Sequence, residues 1–378
     1  MKLCSLLLPC TFFEAVLFWR PTFTLQDQCR RLKFASPLHN KALVGHVIEN
    51  LTLTLGMHSS CRGRCTLDDN CVSYNIGPPI KDHLICQLSD SNHVQHPKDL
   101  VTREGFTYQS SKTPCSSSPC QNGGTCSANY EENTFNCLCV EGFIGAYCEK
   151  DAVSCKELHE ANKLNGSLVV TLRFNTEPVS ILCQMGDFGW GAGPWTPIMK
   201  TNGNQNTFHF DSVYWTDLNS YNLPGGLTGF DDSETKLPTY WSTPFSKICL
   251  GMKVDQQLRF IVINQPAASL HSLIADGQYR ATSQGRDTWK TLLGSQGSLQ
   301  LNCNKEGFNS ASTNSGSAKT RIGIVSNEGS DGCYSCDSRI GYGGANGADN
   351  SNTCGNVANW SPDNGDKNIK AMGYILAQ

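Results

Sequence analysis

The chain has 378 residues, 30 Lys and Arg against 33 Asp and Glu, a net charge of −3 and 20 cysteines. That length exceeds what one hydrophobic core fills and suits two or three domains. The near-neutral balance, without a long run of one sign, leaves no electrostatic footprint for nucleic acid and no polyacidic tract for templating mineral.

Met1 to Phe18 places a basic Lys2 before the apolar Leu3-Cys4-Ser5-Leu6-Leu7-Leu8, the pattern of a secretory signal peptide. Glu14 interrupts the run and no small-x-small site follows, so cleavage is placed between Ala15 and Leu25 and residues 1–22 are taken as the leader. The cysteine density belongs in an oxidising compartment. No later apolar stretch is long enough to span a bilayer, and the Gly-Tyr-Ile-Leu-Ala end is too short for a lipid-anchor signal. A secreted protein, soluble or matrix-bound, is therefore expected, with no membrane span. Sequons at Asn50, Asn165 and Asn359 are candidate N-glycan acceptors, the last with bulky Trp360 in its middle position.

From Cys29 to Tyr108 the chain reads as a compact cysteine module. Leu43 to Ile48 alternates like a strand, and Ser59 to Cys65 starts a helix with Cys61 and Cys65 one turn apart on one face. Cys71 to Asn75 and Leu84 to Leu88 read as strands. A helical C-x3-C followed by C-x-S-x-N and C-x-L resembles the PAN/apple family (residues 29–108), a helix packed on a small sheet. The resemblance implies bridges Cys61–Cys86 and Cys65–Cys71 and leaves Cys29 without a partner inside the module. Six of the nine histidines lie here, including His93-x2-His96. With no acidic or cysteine ligand evident beside that pair, a hydrophilic loop before Pro97 is the stronger reading than a metal site. Ser110 to Pro114 is expected as a short polar linker.

Six cysteines then fall as C-x4-C-x5-C-x10-C-x-C-x8-C from Cys115 to Cys148, with Asn122-Gly123-Gly124 and Gly142-Phe143-Ile144-Gly145 supplying turns. A segment this short cannot bury enough apolar surface, so cross-links must hold it. Spacing alone leaves fifteen pairings open. The pattern resembles an epidermal-growth-factor-like (EGF-like) module (111–149), which implies Cys115–Cys126, Cys120–Cys137 and Cys139–Cys148. Ser111-Lys112-Thr113-Pro114 stands where the family's calcium-binding members carry acids or amides, so no calcium is expected in this module. Cys115 to Cys120 matches the family's C-x-S-x-P-C acceptor for O-glucose at Ser117, and Cys120 to Cys126 matches C-x4-[S/T]-C for O-fucose at Thr125. The bland alternative is that Ser and Thr are ordinary turn residues.

Ser154-Cys155-Lys156-Glu157 forms a capping box for a helix ending near Asn165-Gly166. Leu168 to Leu172 and Val179 to Cys183 read as strands, and a Cys155–Cys183 bridge would tie helix to strand. Gln184-Met185 followed by Gly189-Trp190-Gly191-Ala192-Gly193-Pro194-Trp195-Thr196 resembles the opening of fibrinogen-like domains, with Gln184 where that family has an acid. Further strands (Ile248 to Val254, Leu258 to Ile263, Arg321 to Val325, Met372 to Leu376) and a helix from Asp287 to Leu293 lie among Gly/Asn/Ser loops. Arg339 to Gly344, Cys354-Gly355-Asn356 and Ala371 to Ile375 are similar to the intelectin branch of these lectins, giving residues 152–378 as a fibrinogen/intelectin-like domain.

No H-E-x-x-H, G-x-S-x-G, phosphate loop or dinucleotide fingerprint is present, so an enzyme is not expected. Cys333-x2-Cys336 sits among glycines rather than at a helix start, and structural bridges Cys303–Cys333 and Cys336–Cys354 are the expectation. Calcium is the one cofactor the residues raise. Asp349, Asn350, Asn352, Asp363 and Asp366 offer hard oxygen ligands in flexible turns, although such residues also build ordinary turns. No histidine follows His271 and no glutamate follows Glu328, so the intelectin ligand set cannot be carried over. Tyr342 and Trp360 are candidates to stack on a sugar, or to pack inside the domain. Without Cys4 and Cys10 the mature chain keeps 18 cysteines, and Cys29 and Cys249 are left over, to bridge modules, stay buried or link chains.

The expected fold is mostly β with few helices (α+β), disulfide-rich and multidomain. The module order is similar to that of a group of secreted cnidarian proteins, among them organic-matrix proteins of stony-coral skeletons. It implies a non-enzymatic matrix or adhesion protein whose partners are extracellular proteins, glycans or mineral-associated matrix. The alternative is a calcium-dependent lectin of innate recognition.

Overall fold

A computed structural model describes residues 32–378 apart from 57, 130, 131, 133, 189–191 and 331. The signal segment, Cys4, Cys10, Cys29 and Gly189-Trp190-Gly191 lie outside the described residues. The chain divides into two compact units, one ending at Leu138 and one running from Cys139 to Gln378. Both are mostly β, with a few short helices and, among the described residues, seven disulfides. No described helix is long and apolar enough to cross a membrane.

The first unit holds an antiparallel sheet of β1 (Leu38–Leu43), β2 (Val47–Thr54), β3 (Ser73–Ile76), β4 (His83–Ser89) and β5 (Leu100–Ser110), in the order β1-β5-β3-β4-β2. The run from Leu43 to Ile48 is not one strand. Gly45, at φ 84°, turns the chain between β1 and β2, a backbone conformation that glycine adopts without a Cβ penalty. Helix α1 (His58–Leu67) has Gly63 at its centre and packs on the sheet through Cys61 and Cys65, which are joined to Cys86 and Cys71. Buried Asn75 acts as a substitute strand neighbour: its Oδ1 accepts from Leu43 N at 2.9 Å and its Nδ2 donates to Leu43 O at 2.8 Å. The expected linker from Ser110 is built into the sheet instead, because Ser110 pairs with Ser73 and Ser111 N donates to Val72 O at 2.9 Å. After it, β6 (Thr125–Asn129) and β7 (Thr134–Leu138) form a hairpin, cross-linked by Cys115–Cys126 and Cys120–Cys137.

The second unit opens with the loop closed by Cys139–Cys148 and the short pair β8 (Phe143–Ile144) and β9 (Lys150–Asp151). Helix α2 (Cys155–Asn162) follows, with Ser154 Oγ accepting from Glu157 N at 3.2 Å. The Glu157 carboxylate accepts from Val153 N at 2.9 Å, one residue earlier than a reciprocal capping box requires. Lys163 in the left-handed region ends the helix before Asn165. The Cys155–Cys183 bridge joins α2 to the strand Glu177–Asp187, and Ile144, Leu158, Leu172, Phe174 and Ile181 pack around it.

One antiparallel sheet here runs β10 (Leu168–Phe174), β11 (Glu177–Asp187), β12 (Ala192–Asn202), β22 (Met372–Ala377), β14 (Phe245–Val254), β15 (Gln257–Ala267), with β13 (Thr235–Lys236) beside β12. A second runs β16 (Arg280–Ala281), β17 (Asn302–Ala311), β18 (Lys319–Asn327), β19 (Ser338–Ala345), β20 (Cys354–Ala358), β21 (Lys367–Lys370). With α3 (Thr239–Ser242), α4 (Leu270–Ile274) and α5 (Arg286–Thr291) the sheets enclose the main core, where Trp215, Trp289, Phe308, Tyr342 and Ile375 are buried. The last strand fills the centre of the first sheet, between β12 and β14. A Cβ on its Gly373 would come within 2.5 Å of Cys354 Sγ and 2.6 Å of the Tyr342 ring, so only glycine fits.

Lys236 is wholly buried, and its Nζ donates to Asp217 Oδ1 at 2.6 Å and Asp217 O at 2.8 Å, 4.8 Å from the centre of the Tyr240 ring. Burial pushes its ammonium pKa down, against the pull of Asp217. Removing the carboxylate leaves an unpaired buried charge, so Asp217→Asn should destabilise this unit by about 3–5 kcal/mol. That corresponds to a melting temperature lower by on the order of 10 °C in a unit of this size. Adding Lys236→Met should restore much of the loss, because the pair is then replaced rather than broken. An unchanged melting temperature in the single variant would show that Asp217 does not balance this charge.

Candidate functional site

In the first disulfide loop of the cysteine module, the turn Pro114–Ser117 is capped by Thr113, whose Oγ1 accepts from Cys115 N at 3.2 Å. Thr113 N in return donates to Ser116 Oγ at 2.9 Å. Ser118 closes the turn in the left-handed region, leaving the Ser117 side chain exposed. Thr125 starts β6 opposite Leu138 and is also exposed. Both hydroxyls therefore sit on backbone fixed by disulfides with their side chains in solvent. Among the sequons, Asn50 and Asn165 are exposed and Asn359 is half-buried.

The oxygen-rich loops of the second unit are organised by cationic side chains, one buried and two half-buried. Arg339, fully buried on β19, donates to the carbonyl oxygens of Asn346 (2.6 Å), Asp349 (2.9 Å) and Asn352 (2.6 Å). Burial lowers its pKa to about 10, against the attraction of Asp349. Asp349 Oδ1 accepts from Ser351 N and Oγ, both at 2.7 Å, and its Oδ2 from Asn368 Nδ2 at 2.7 Å. Asn350 Oδ1 accepts from Asn346 N at 2.8 Å, and buried Asn352 spends its amide on Asn368 Oδ1 and Ile369 O. Asp349, Asn350 and Asn352 thus share one turn. Asp363 belongs to a different contact: its Oδ2 lies 2.5 Å from both Arg286 and Lys290, and its Oδ1 accepts from Leu299 N at 3.1 Å. Asp366 lies in the loop before β21. Several of the oxygens expected as calcium ligands are therefore already engaged by the protein's own donors.

The two aromatic candidates separate clearly. Tyr342 is buried and donates its hydroxyl to Gly251 O at 2.8 Å, so it packs inside and cannot stack on a ligand. Trp360 is 66% exposed. Sequence reasoning missed the organising role of Arg339, because an arginine between strand residues carries no local mark of burial.

Sulfur placement corrects one expectation. Cys303 is joined to Cys333, but Cys336 and Cys354 are separate buried thiols. Cys354 pairs with Tyr342, whereas Cys336 precedes the start of β19 at Ser338. At about 3.3 Å per strand residue, more than 10 Å of β19 separates them, beyond the roughly 7 Å that a disulfide tolerates between Cα atoms. Cys336 Sγ instead lies 3.6 Å from Cys303 Sγ. Cys249 is a third buried thiol, and burial raises its pKa. The histidine pair also parts: His93 Nδ1 lies 3.2 Å from the Tyr108 hydroxyl, while His96 turns to His46 and Asp99.

Residues 115–147 match the EGF-like domain family. Over 126 residues, 32% of this chain and 3% of the relative, the chain is 36% identical to the basement membrane-specific heparan sulfate proteoglycan core protein of Mus musculus. It is 43% identical over 44 residues to Delta-like protein 3 of Homo sapiens, 12% of this chain and 7% of the relative. It is 47% identical over 45 residues to protein crumbs homolog 2 of Mus musculus, 12% of this chain and 3% of the relative. The chain thus spans a small part of each relative's length.

The Asp349 turn has a pH signature. Burial works against its charge, but the Ser351 and Asn368 hydrogen bonds prevail and hold its carboxyl at about 2. A carboxyl below its unfolded value of about 3.9 stabilises the fold above that pH and loses the contribution as pH falls toward 2. The melting-temperature gap between the parent and Asp349→Asn should be full above about pH 5 and shrink toward pH 2. A gap that stays constant over that range would show that the turn does not use the charge.

Proposed function

We propose that this chain is a secreted, non-enzymatic extracellular-matrix or adhesion protein. In this reading residues 1–22 are a leader, 29–108 a PAN/apple-like module, 111–149 an EGF-like module and 152–378 a fibrinogen/intelectin-like domain. The observation that carries it is the EGF-like module itself, closed by Cys115–Cys126, Cys120–Cys137 and Cys139–Cys148, a construction that persists in oxidising extracellular surroundings. The likeness to a basement-membrane proteoglycan core protein supports a matrix setting, and the relatives named above are matrix and EGF-domain proteins rather than enzymes.

The finer reading places the protein in the organic matrix of a mineralised skeleton, with other matrix proteins and glycans as partners. N-glycans at Asn50 and Asn165 would cover exposed surface, and Asn359 is a third acceptor. Calcium, if it binds at all in the second unit, competes with the donors that hold Asp349 and Asp363. A calcium-dependent lectin is the rival reading.

Two experiments test these statements. An antibody to the purified chain should stain extracellular matrix and detect the protein in extracted skeletal matrix. Retention on a glycan column in calcium, with release by chelator, would replace the matrix reading with the lectin. Separately, mass spectrometry of native peptides spanning Cys115 to Cys126 should show a hexose on Ser117 and a deoxyhexose on Thr125. Unmodified mass at both positions, in protein from its own tissue, would remove O-glycosylation from the proposal.

A further inference from the structure

Three groups in the first unit converge although the sequence sets two of them far from the third. His46 lies in the turn between β1 and β2, while His96 and Asp99 flank Pro97 and Lys98 just before β5. His46 Nε2 lies 2.8 Å from Asp99 Oδ2, and His96 Nδ1 lies 3.7 Å from the same oxygen. The two imidazole rings are 4.2 Å apart between centres and tilted by 34°. One ligand atom from each residue falls within 4.8 Å of the others.

We infer that His46, His96 and Asp99 form a three-ligand site for a divalent transition-metal ion, zinc by preference. Zinc bound at about 2.0–2.1 Å to imidazole nitrogen and carboxylate oxygen sets neighbouring tetrahedral ligands about 3.3 Å apart. The two separations from Asp99, 2.8 Å and 3.7 Å, bracket that spacing, and the three ligand atoms all lie within 4.8 Å of one another. A carboxylate only accepts, so without an ion His46 Nε2–H donates to Asp99. Zinc takes the place of that proton, which the neutral ring then carries on Nδ1. The hydrogen bond by itself accounts for His46; it does not account for a second imidazole turned toward the same oxygen. Two imidazoles and one carboxylate are the ligand set of zinc and its transition-metal neighbours, whereas calcium and magnesium take oxygen cages.

The backbone under the site is held in place. Val44 N donates to Asp99 O at 3.0 Å, Asp90 N to His46 O at 3.2 Å, Asp99 N to His96 O at 3.1 Å and His96 N to Asn92 O at 3.0 Å. Buried Asn92 anchors the loop further, its Oδ1 accepting from Val94 N and Gln95 N. Pro97 restricts the conformation of His96. Side-chain exposures of 20% for His46, 43% for Asp99 and 46% for His96 leave an entry path and a coordination position facing solvent. A water or a donor from another molecule would occupy it. The site is independent of the function proposed above: it stands on the first unit's own geometry.

The test uses the full secreted chain without a polyhistidine tag, stripped with chelator and titrated calorimetrically with Zn²⁺ alone. One zinc per chain at micromolar affinity or tighter is expected, with a rise in melting temperature and no matching response to Ca²⁺. His96→Gln and Asp99→Asn should each weaken zinc binding by at least about tenfold. His83→Gln, an exposed histidine outside the cluster, should leave it unchanged. His96 is the safest position for a folded variant because its side chain is the most exposed of the three. Absence of zinc binding in the parent, or parental affinity in both ligand variants, would overturn the inference.

Discussion

Covalent closure is the constraint on which the first unit depends. Its buried cluster contains Cys61, Cys65, Cys71 and Cys86 beside few large apolar side chains. Helix α1, ten residues with a central glycine, is shorter than a helix that persists alone in water. Spacing Cys61 and Cys65 by one turn points both sulfurs at the sheet, so two bridges supply what propensity does not. The hairpin from Thr125 to Leu138 has half-exposed faces and relies on the same device.

The second unit is held differently, by a core large enough to bury whole charges. Glu306 accepts from Thr282 Oγ1, Gln284 N, Gly285 N and Trp289 Nε1, joining the segment before α5 to β17. Arg339 gathers three carbonyls of the loop after β19, and Lys236 is boxed by Asp217 and aromatic rings. Each buried charge has its partners, as burial demands. These partnerships also decide what the surface loops offer a ligand. An Asp or Asn that satisfies an interior donor has less lone-pair capacity to give an ion.

Much of this was legible locally. The strands from Ile248, Leu258, Arg321 and Met372 and the α5 helix follow from periodicity, and the EGF-like pattern implied its own cross-links. What escaped depends on contacts distant in sequence. Gly45 turns the chain inside an apolar run that reads as one strand. The polar stretch from Ser110 to Thr113 resembles a linker, yet its backbone completes a sheet against Ser73 and Val72. Cys336 and Cys354 look like partners on a count of cysteines, but β19 holds them apart. His96 gives no sign in sequence of His46, because only the strand arrangement brings the two loops together. Asp99, three residues beyond His96, is a local acid that the reading of a ligand-free pair passes over.

The third loop of the EGF-like module bears on mechanics. Ile144 sits in the same cluster as α2, Ala152 N donates to Gly142 O, and Arg173 N donates to Ala152 O. Arg173 also lies over the Phe143 ring, its guanidinium 4.5 Å from the ring centre. No slack spacer therefore separates Cys148 from the domain that follows. A stretching load entering through this loop would pass by disulfide and backbone hydrogen bonds straight into the α2 cluster. Extension would have to shear these contacts before uncoiling any chain, which makes the junction a stiff coupling rather than a swivel.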